Sequence, residues 1–359
     1  MMKKKYRILA VALCLAMALA FALSGCGSKD EEPEPSGDAN PPASEEPKEV
    51  IKISYASNDA PGSDRYDLLE QKFADLMKEK SGGRIEVEIY PSGSLSSPGK
   101  TLDNLKNGSV DSGIDSFTRY SGQYPYYELL TAPGLNYSNA EAFTKVIYEY
   151  IQEFPDATIG DYKIIALYDT GNFGLVSTKP ISKYSDIKGL QIRNTPQFIP
   201  LFNKLGASSV DVASGDMYEA LRLNTITAAN TNDHAIPAFN LGEVCDSFTR
   251  LPFEHADFGI FMSLDRYNSF DDELKAAVDE VCVEMQKVCA DYLAQTTANA
   301  KENTLAVNPD FQFIELSNEE VAKFVEAAGP TLDEMAKKLD GNGLKGSEAL
   351  AWLRDHQSK

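Results

Sequence analysis

Histidine and cysteine are scarce in this chain, which has three and five of them in 359 residues, with a single tryptophan. His234, His255 and His356 stand at metal-ligand spacing neither to one another nor to a Cys pair, which argues against a metal site. No phosphate-cradling glycine loop of the Walker or dinucleotide type occurs, and no G-x-S-x-G serine elbow. No cofactor is therefore expected. Cations are short as well: 34 Lys and Arg face 54 Asp and Glu, a formal charge of -20, which argues against nucleic acid or an anionic membrane surface as the main partner. Carboxylate pairs are plentiful simply because the chain is acidic, so counting them does not exclude a paired-acid glycosidase.

The N-terminal end reads as a targeting segment. Lys3, Lys4, Lys5 and Arg7 precede an apolar run over 8–22, and Leu23-Ser24-Gly25-Cys26 closes it. That pattern is a bacterial lipoprotein signal over 1–25, with lipidation of Cys26 after cleavage. A membrane span is the weaker reading, because the run is shorter than the ~20 residues a span needs. Loss of the four signal cations takes the formal charge from -20 to -24. Residues 26–49 follow as an acidic, Pro-rich tether: Gly27 to Glu49 holds five prolines and eight acids against two lysines, a composition that buries no core.

About 310 residues remain from Val50 onward, enough for two lobes. The spacing predicts one lobe over 50–170 plus about 257–298, and another over about 171–256 plus 299–359. Ile51, Ile53 and Tyr55 alternate as a strand, Leu69, Phe73, Leu76 and Met77 recur at helical spacing, and Ile85, Val87 and Ile89 form a second strand. Two strands joined by such a helix make a parallel βαβ unit, so the fold class is α/β. Tyr120, Tyr124, Tyr126 and Tyr127 crowd a loop, where surface packing is the commoner fate. A long helix is predicted from Asp272 to about Thr296, with Leu274, Val278, Val281, Met285, Val288 and Tyr292 as its apolar stripe, and shorter helices over 318–327, 331–339 and 347–356. Cys282 and Cys289 lie seven apart in that long helix and cannot bridge each other, whereas a bridge from Cys245 to either stays open.

Strand ends supply the candidate binding groups, since open α/β sheets bind ligands there. The segment 190–193 ends on Arg193 before the breaker run Asn194, Thr195, Pro196, and a strand over 226–229 delivers Asn230, Thr231 and Asn232. Asp169, Asn172 and Phe173 form another polar strand end. Asn58, Arg65, Asp115, Ser116 and Phe117 are strand-end or loop candidates from the first lobe. His234 is readable as a pocket acid or base, or as an ordinary hydrogen-bonded residue. A guanidinium offers a planar fork of donors that matches a carboxylate. On residue chemistry alone, Arg193 equally fits a structural pairing with Asp186 or Asp169.

Four stretches, YPSGSL, LDNLKNGSVDSG, DIKGLQIRNTP and LGASSVDVASGDMYEALRLNTITAANTN, resemble the solute-binding proteins of tripartite ATP-independent periplasmic (TRAP) transporters of the DctP type. The resemblance is specific at Gly189-Leu190-x-Ile192-Arg193 and at Tyr218-x-Ala220-Leu221. It implies a two-lobed, periplasmic-binding-protein-like fold of type II-like form, with a hinge and a long helix spanning both lobes. It also implies closure on a small organic anion held by Arg193. Where many members have Gln-Glu-Asn, this chain has Asn230 and Thr231 flanked by Ala229 and Asn232. A second arginine of the family pattern is replaced at Gly171-Asn172-Phe173, which favours a monocarboxylate over a doubly clamped diacid. Asp169 can meet a ligand amine or stand as a solvated loop acid. The expected protein is a monomeric, extracytoplasmic lipoprotein, anchored to the membrane through Cys26, that hands its ligand to TRAP membrane subunits. It is not expected to be an enzyme or to bind nucleic acid. A ligand-sensing subunit for a signalling receptor and a lipid-anchored hydrolase are the alternatives.

Overall fold

The computed structural model describes residues 49–120, 122–194 and 198–357, so the expected signal, Cys26 and almost all of the tether lie outside the described residues. Among the described residues, eleven strands occur in chain order: β1 (Ile51–Ala56), β2 (Ile85–Tyr90), β3 (Ser112–Asp115), β4 (Tyr162–Asp169), β5 (Phe173–Ser177), β6 (Gln191–Arg193), β7 (Ser208–Val210), β8 (Ala228–Asn232), β9 (Ser247–Arg250), β10 (Asp257–Ser263) and β11 (Gln312–Glu315). They form two sheets, ordered β2-β1-β3-β10-β4 and β11-β9-β5-β8-β6-β7. The first is the core of one lobe and the second of the other. β1 pairs with β2 in parallel, with Ile53 opposite Val87, as the alternation predicts.

Helices cover both faces of each sheet. On the first lobe, one cluster gathers Phe117, Tyr124, Tyr127, Phe143 and Tyr150, and the other gathers Tyr55, Phe73, Ile114, Ile260 and Val281. The four tyrosines predicted for a loop surface are instead buried, and Pro125–Leu130 is a short helix with Pro at its first position. Phe117 is the reason: its ring lies 4.6 Å from Tyr124 and 4.8 Å from Tyr127, so the aromatics build core rather than cover.

Four chain passes link the lobes. The first is the short link from β4 to β5, and the second is the stretch from β9 to β10. The third is the helix Asp272–Val307, longer than predicted, whose 36 residues extend ~54 Å at 1.5 Å each. Its first half buries Leu274, Val281 and Met285 against the first sheet, and its last turns pack beside Ala235–Ala238 and Leu241–Glu243 of the second lobe. The fourth pass is the helix Asn318–Gly341, continuous through Pro330, where the Gly329-Pro330 pair predicts a break. Phe324 and Ala328 pack with the second lobe, whereas Leu332, Ala336 and Leu339 pack with the first. The terminal helix Gly346–Asp355 returns to the first-lobe cluster through Leu350 and Leu353. Residues 299–359 therefore divide between the lobes, in contrast to the expectation that they belong wholly to the second. Cys245, Cys282 and Cys289 are free thiols, so the open Cys245 bridge does not form.

Candidate functional site

β6 and β8 run parallel, with Arg193 opposite Ala229, and β8 continues to Asn232, which pairs with Phe173 just after the first pass between lobes. Arg193 is therefore carried on the sheet end nearest the hinge. Its Nε donates to the Val212 carbonyl at 3.2 Å, Nη1 to the Asn230 carbonyl at 2.8 Å, and Nη2 to Ser214 Oγ at 3.0 Å. All three acceptors are neutral, and no carboxylate pairs with it among the described residues. Of the five N–H groups of a guanidinium, one on each Nη remains. Half-burial lowers its basicity, opposed by the charge of Asp211, without removing the cation. The structural pairings open at the residue level are taken elsewhere: Asp186 accepts from the Ser182 and Lys183 amides, and Asp169 faces His255.

The two short passes are tied to each other. Asp169 Oδ2 lies 3.0 Å from His255 Nδ1, while His255 Nε2 lies 3.0 Å from the Pro252 carbonyl. Asn172 Nδ2 donates to Asp233 Oδ2 at 2.9 Å, and Asp233 Oδ1 lies 3.1 Å from His234 Nε2. Gly171 sits at φ +104° with the His234 ring against it, so a Cβ there would come within 3.2 Å of the imidazole. Thr231 is buried in β8, and the Asn232 side chain accepts from the Ala235 amide, capping a helical turn. Asn230 is fully buried, and its Nδ2 donates to Glu254 Oε2.

The first lobe contributes the sheet end formed by β1, β3 and β10. Arg65 is held by Asp59 through Nε at 2.6 Å and Nη2 at 3.0 Å, and its guanidinium lies 4.2 Å from the Phe258 ring centroid. Arg119 lies 4.8 Å from the same ring and donates to Asp115 at 3.0 Å. Asp115 also accepts from the amides of Thr101 and Ser116 and from the Tyr120 hydroxyl, so it organises the loop behind the arginine. Ser116 bonds Asp257 and the Thr118 amide, and Phe117 is core. Asn58 has both amide atoms buried without a partner. Sequence reasoning passed over Arg119, although it stands only two residues beyond the strand-end candidate Phe117. It also passed over Phe258, Asp233 and Glu254, whose roles depend on the second pass lying beside the first.

A roomy cavity lies away from Arg193. It holds about 800 Å³ between the helix Ala140–Glu153 and the long helix, beside Gly171 and Asn172. Its walls are mixed, including Tyr148, Leu293, Thr297 and Lys145, with no group of three metal-ligating side chains anywhere among the described residues. The strand-end cation, rather than cavity size, marks the chemistry, because a half-buried guanidinium held by three neutral oxygens is suited to an anion.

Two α/β lobes joined by four chain passes make up a two-lobed binding-protein fold. The chain belongs to the DctP family, Bacterial extracellular solute-binding protein, family 7, which matches residues 55–339, and is a TRAP solute-binding protein. It is similar to the uncharacterized protein YiiZ of Salmonella typhimurium, 25% identical over 303 residues (80% of this chain, 88% of that one). It is also similar to the C4-dicarboxylate-binding protein DctB of Bacillus subtilis, 24% identical over 78% of this chain and 80% of that one. Among solved structures, a TRAP solute-binding protein of Rhodoferax ferrireducens in complex with copurified benzoate superposes with a TM-score of 0.74 at 23% identity, covering 86% of this chain and 97% of that one. Family and fold are those of extracytoplasmic transport binding proteins, not enzymes. No helix among the described residues is long and apolar enough to cross a membrane.

Proposed function

We propose that this protein captures a small organic monocarboxylate between its lobes, with Arg193 as the carboxylate clamp, and delivers it to TRAP membrane subunits. The observation that carries the reading is the Arg193 guanidinium: half-buried, fixed by three neutral oxygens, and without a carboxylate partner among the described residues. Arg65 and Arg119 each have an acid already, at Asp59 and Asp115, which supports one strong anion contact rather than two. Asn172, Phe173, Asn230, Thr231 and Asn232 line the hinge end of the second lobe, and Asn58, Arg65, Ser116 and Asp169 approach from the first lobe and the hinge. Asp115 and Phe117 support that wall from behind. The benzoate of the Rhodoferax protein is a monocarboxylate with an apolar body, the ligand class proposed here. The protein acts as a monomer, anchored through a lipid on Cys26, and returns its ligand unchanged.

Breaking a charge-assisted Arg–carboxylate contact costs ~2 to 5 kcal/mol. A thermal-shift screen of organic, aromatic and sugar acids starting from benzoate identifies binders, because a bound ligand stabilises the folded state in proportion to RT ln(1 + [L]/Kd). For any acid so found, Arg193→Lys is expected to weaken binding at least about thirtyfold by calorimetry, with an unchanged circular dichroism spectrum. Equal affinity in the variant would remove Arg193 from the site.

A further inference from the structure

Glu254 lies in the second pass between the lobes, far in sequence from the clamp. It is 1% exposed, and its amide closes a turn onto the Leu251 carbonyl at 3.0 Å. That turn is itself anchored: the Leu251 amide donates to the Phe173 carbonyl, and the Pro252 carbonyl receives both His255 Nε2 and the Tyr137 amide. Glu254 Oε2 accepts from Asn230 Nδ2 at 2.5 Å, while Oε1 is buried without a partner. Asn230 is the first residue of β8 beyond the β6 register, which ends at Arg193 opposite Ala229. Its carbonyl is the acceptor that holds Arg193 Nη1 at 2.8 Å. A buried carboxyl group bonded to one amide is costly to keep in a protein interior. Its position here joins three parts in a line: the second pass, the central strand β8, and the clamp.

We infer that Glu254 is a positioning residue of the carboxylate clamp: through Asn230 it fixes the Arg193 guanidinium to the second pass between the lobes, so that clamp geometry and lobe movement are coupled. The inference rests on the reading of Arg193 as a carboxylate site, and the mechanism is one of orientation. With the Asn230 side chain pinned, its carbonyl stays aimed at Nη1, and the two remaining Nη donors point where a carboxylate can take both. A residue that merely fills core space at 254 would leave the guanidinium orientation unchanged when replaced by an apolar side chain of similar size.

The test uses the whole protein labelled with ¹⁵N-arginine, as wild type, Glu254→Leu and Glu254→Gln, first without any added acid and then titrated with benzoate. Without benzoate, the Arg193 Nη signals, assigned by their loss in Arg193→Lys, are expected to be separately resolved in wild type and in Glu254→Gln, which keeps an acceptor for Asn230. In Glu254→Leu they are expected to merge as the guanidinium rotates freely, and the benzoate Kd is expected to rise about tenfold, against less than about threefold for Gln. Resolved signals and unchanged affinity in Glu254→Leu overturn the inference, as does a loss in Gln equal to that in Leu. Should the Leu variant fail to fold, a titration of wild type labelled with both ¹⁵N-arginine and ¹⁵N-asparagine decides: the Asn230 side-chain amide signals, assigned by their loss in Asn230→Ala, must shift together with those of Arg193, and their standing still overturns it. If benzoate binds to none of these proteins, it is benzoate as a ligand that fails. The benzoate-free Arg193 signals then judge the positioning role by themselves.

Discussion

Arg193 was legible as a strand-end cation from the apolar Leu190 and Ile192 and the breaker run after it, but its freedom from a counter-charge was not. That required seeing Asp186 spent on the 182–183 amides and Asp169 spent on His255. Glu254 was not legible, because nothing in LPFEHAD marks a buried acid and its partner Asn230 is 24 residues away. A second buried acid, Glu70, is fully enclosed with neither oxygen bonded to a protein group. Burial pushes its carboxyl from an ordinary value of 4.5 up to about 8. The folded state thus holds a proton that the unfolded state has released between those values. Its contribution to stability is complete below about 4.5 and is lost as pH rises through about 8. Glu70→Gln is expected to be more stable than wild type by ~1–2 kcal/mol at pH 8.5, with the margin vanishing or reversing at pH 4.5. Urea unfolding at both pH values checks this, and a margin that does not change with pH would refute the assignment.

At the level of elements, long periodic segments were readable and short polar ones were not. β1, β2 and the long helix follow from their apolar spacing. β7, β9 and β11 were missed, since each has three or four residues with only one or two apolar side chains, too few to show an alternation. β8 lies two to three residues later than expected because Ala-Ala-Asn-Thr-Asn has little intrinsic strand character, and its central place between β5 and β6 overrides that. The helix Asn318–Gly341 passes through Pro330 where it leaves one lobe and enters the other, and tertiary packing on both sides sustains it. Gly134 shows how close that packing is. It sits at φ +110°, and a Cβ there would lie 2.5 Å from Ala328 Cβ and 3.3 Å from Leu332 Cδ1. Its amide also bonds the Phe253 carbonyl in the second pass. Gly134→Ala therefore combines backbone strain with a clash, and is expected to lower stability by ~2–4 kcal/mol. Chemical denaturation gives the number, and a loss below ~0.5 kcal/mol would show that the helix yields freely at this point.

For the whole molecule, the two-lobed α/β architecture was legible through the βαβ unit, the chain length and the resemblance at Gly189–Arg193. The division of the C-terminal region was not, because the helices over 318–355 have similar amphipathic faces whichever lobe they cover. The acidic composition also gains a setting. A chain with 54 acids to 34 bases, in which the half-buried Arg193 guanidinium is held by neutral oxygens, confines its attraction for anions to a small area. The proposed anchor places that area a tether's length from the lipid surface. Cys26→Ala is expected to shift the protein from the membrane fraction to the soluble fraction while leaving acid binding unchanged, and mass spectrometry of the N-terminal peptide should find the acyl chains only on the wild type. An unmodified wild-type Cys26 would refute the anchor.

The four passes between the lobes have a consequence for backbone cleavage. A protease that cuts the first link, near Asn172, makes two fragments, neither of which is a lobe. The C-terminal fragment still supplies β10 between β3 and β4 of the first sheet, and the long helix across it. The cut pieces are interleaved, so they come apart only when a sheet is dismantled. The hinge can thus be nicked without the lobes being released from each other.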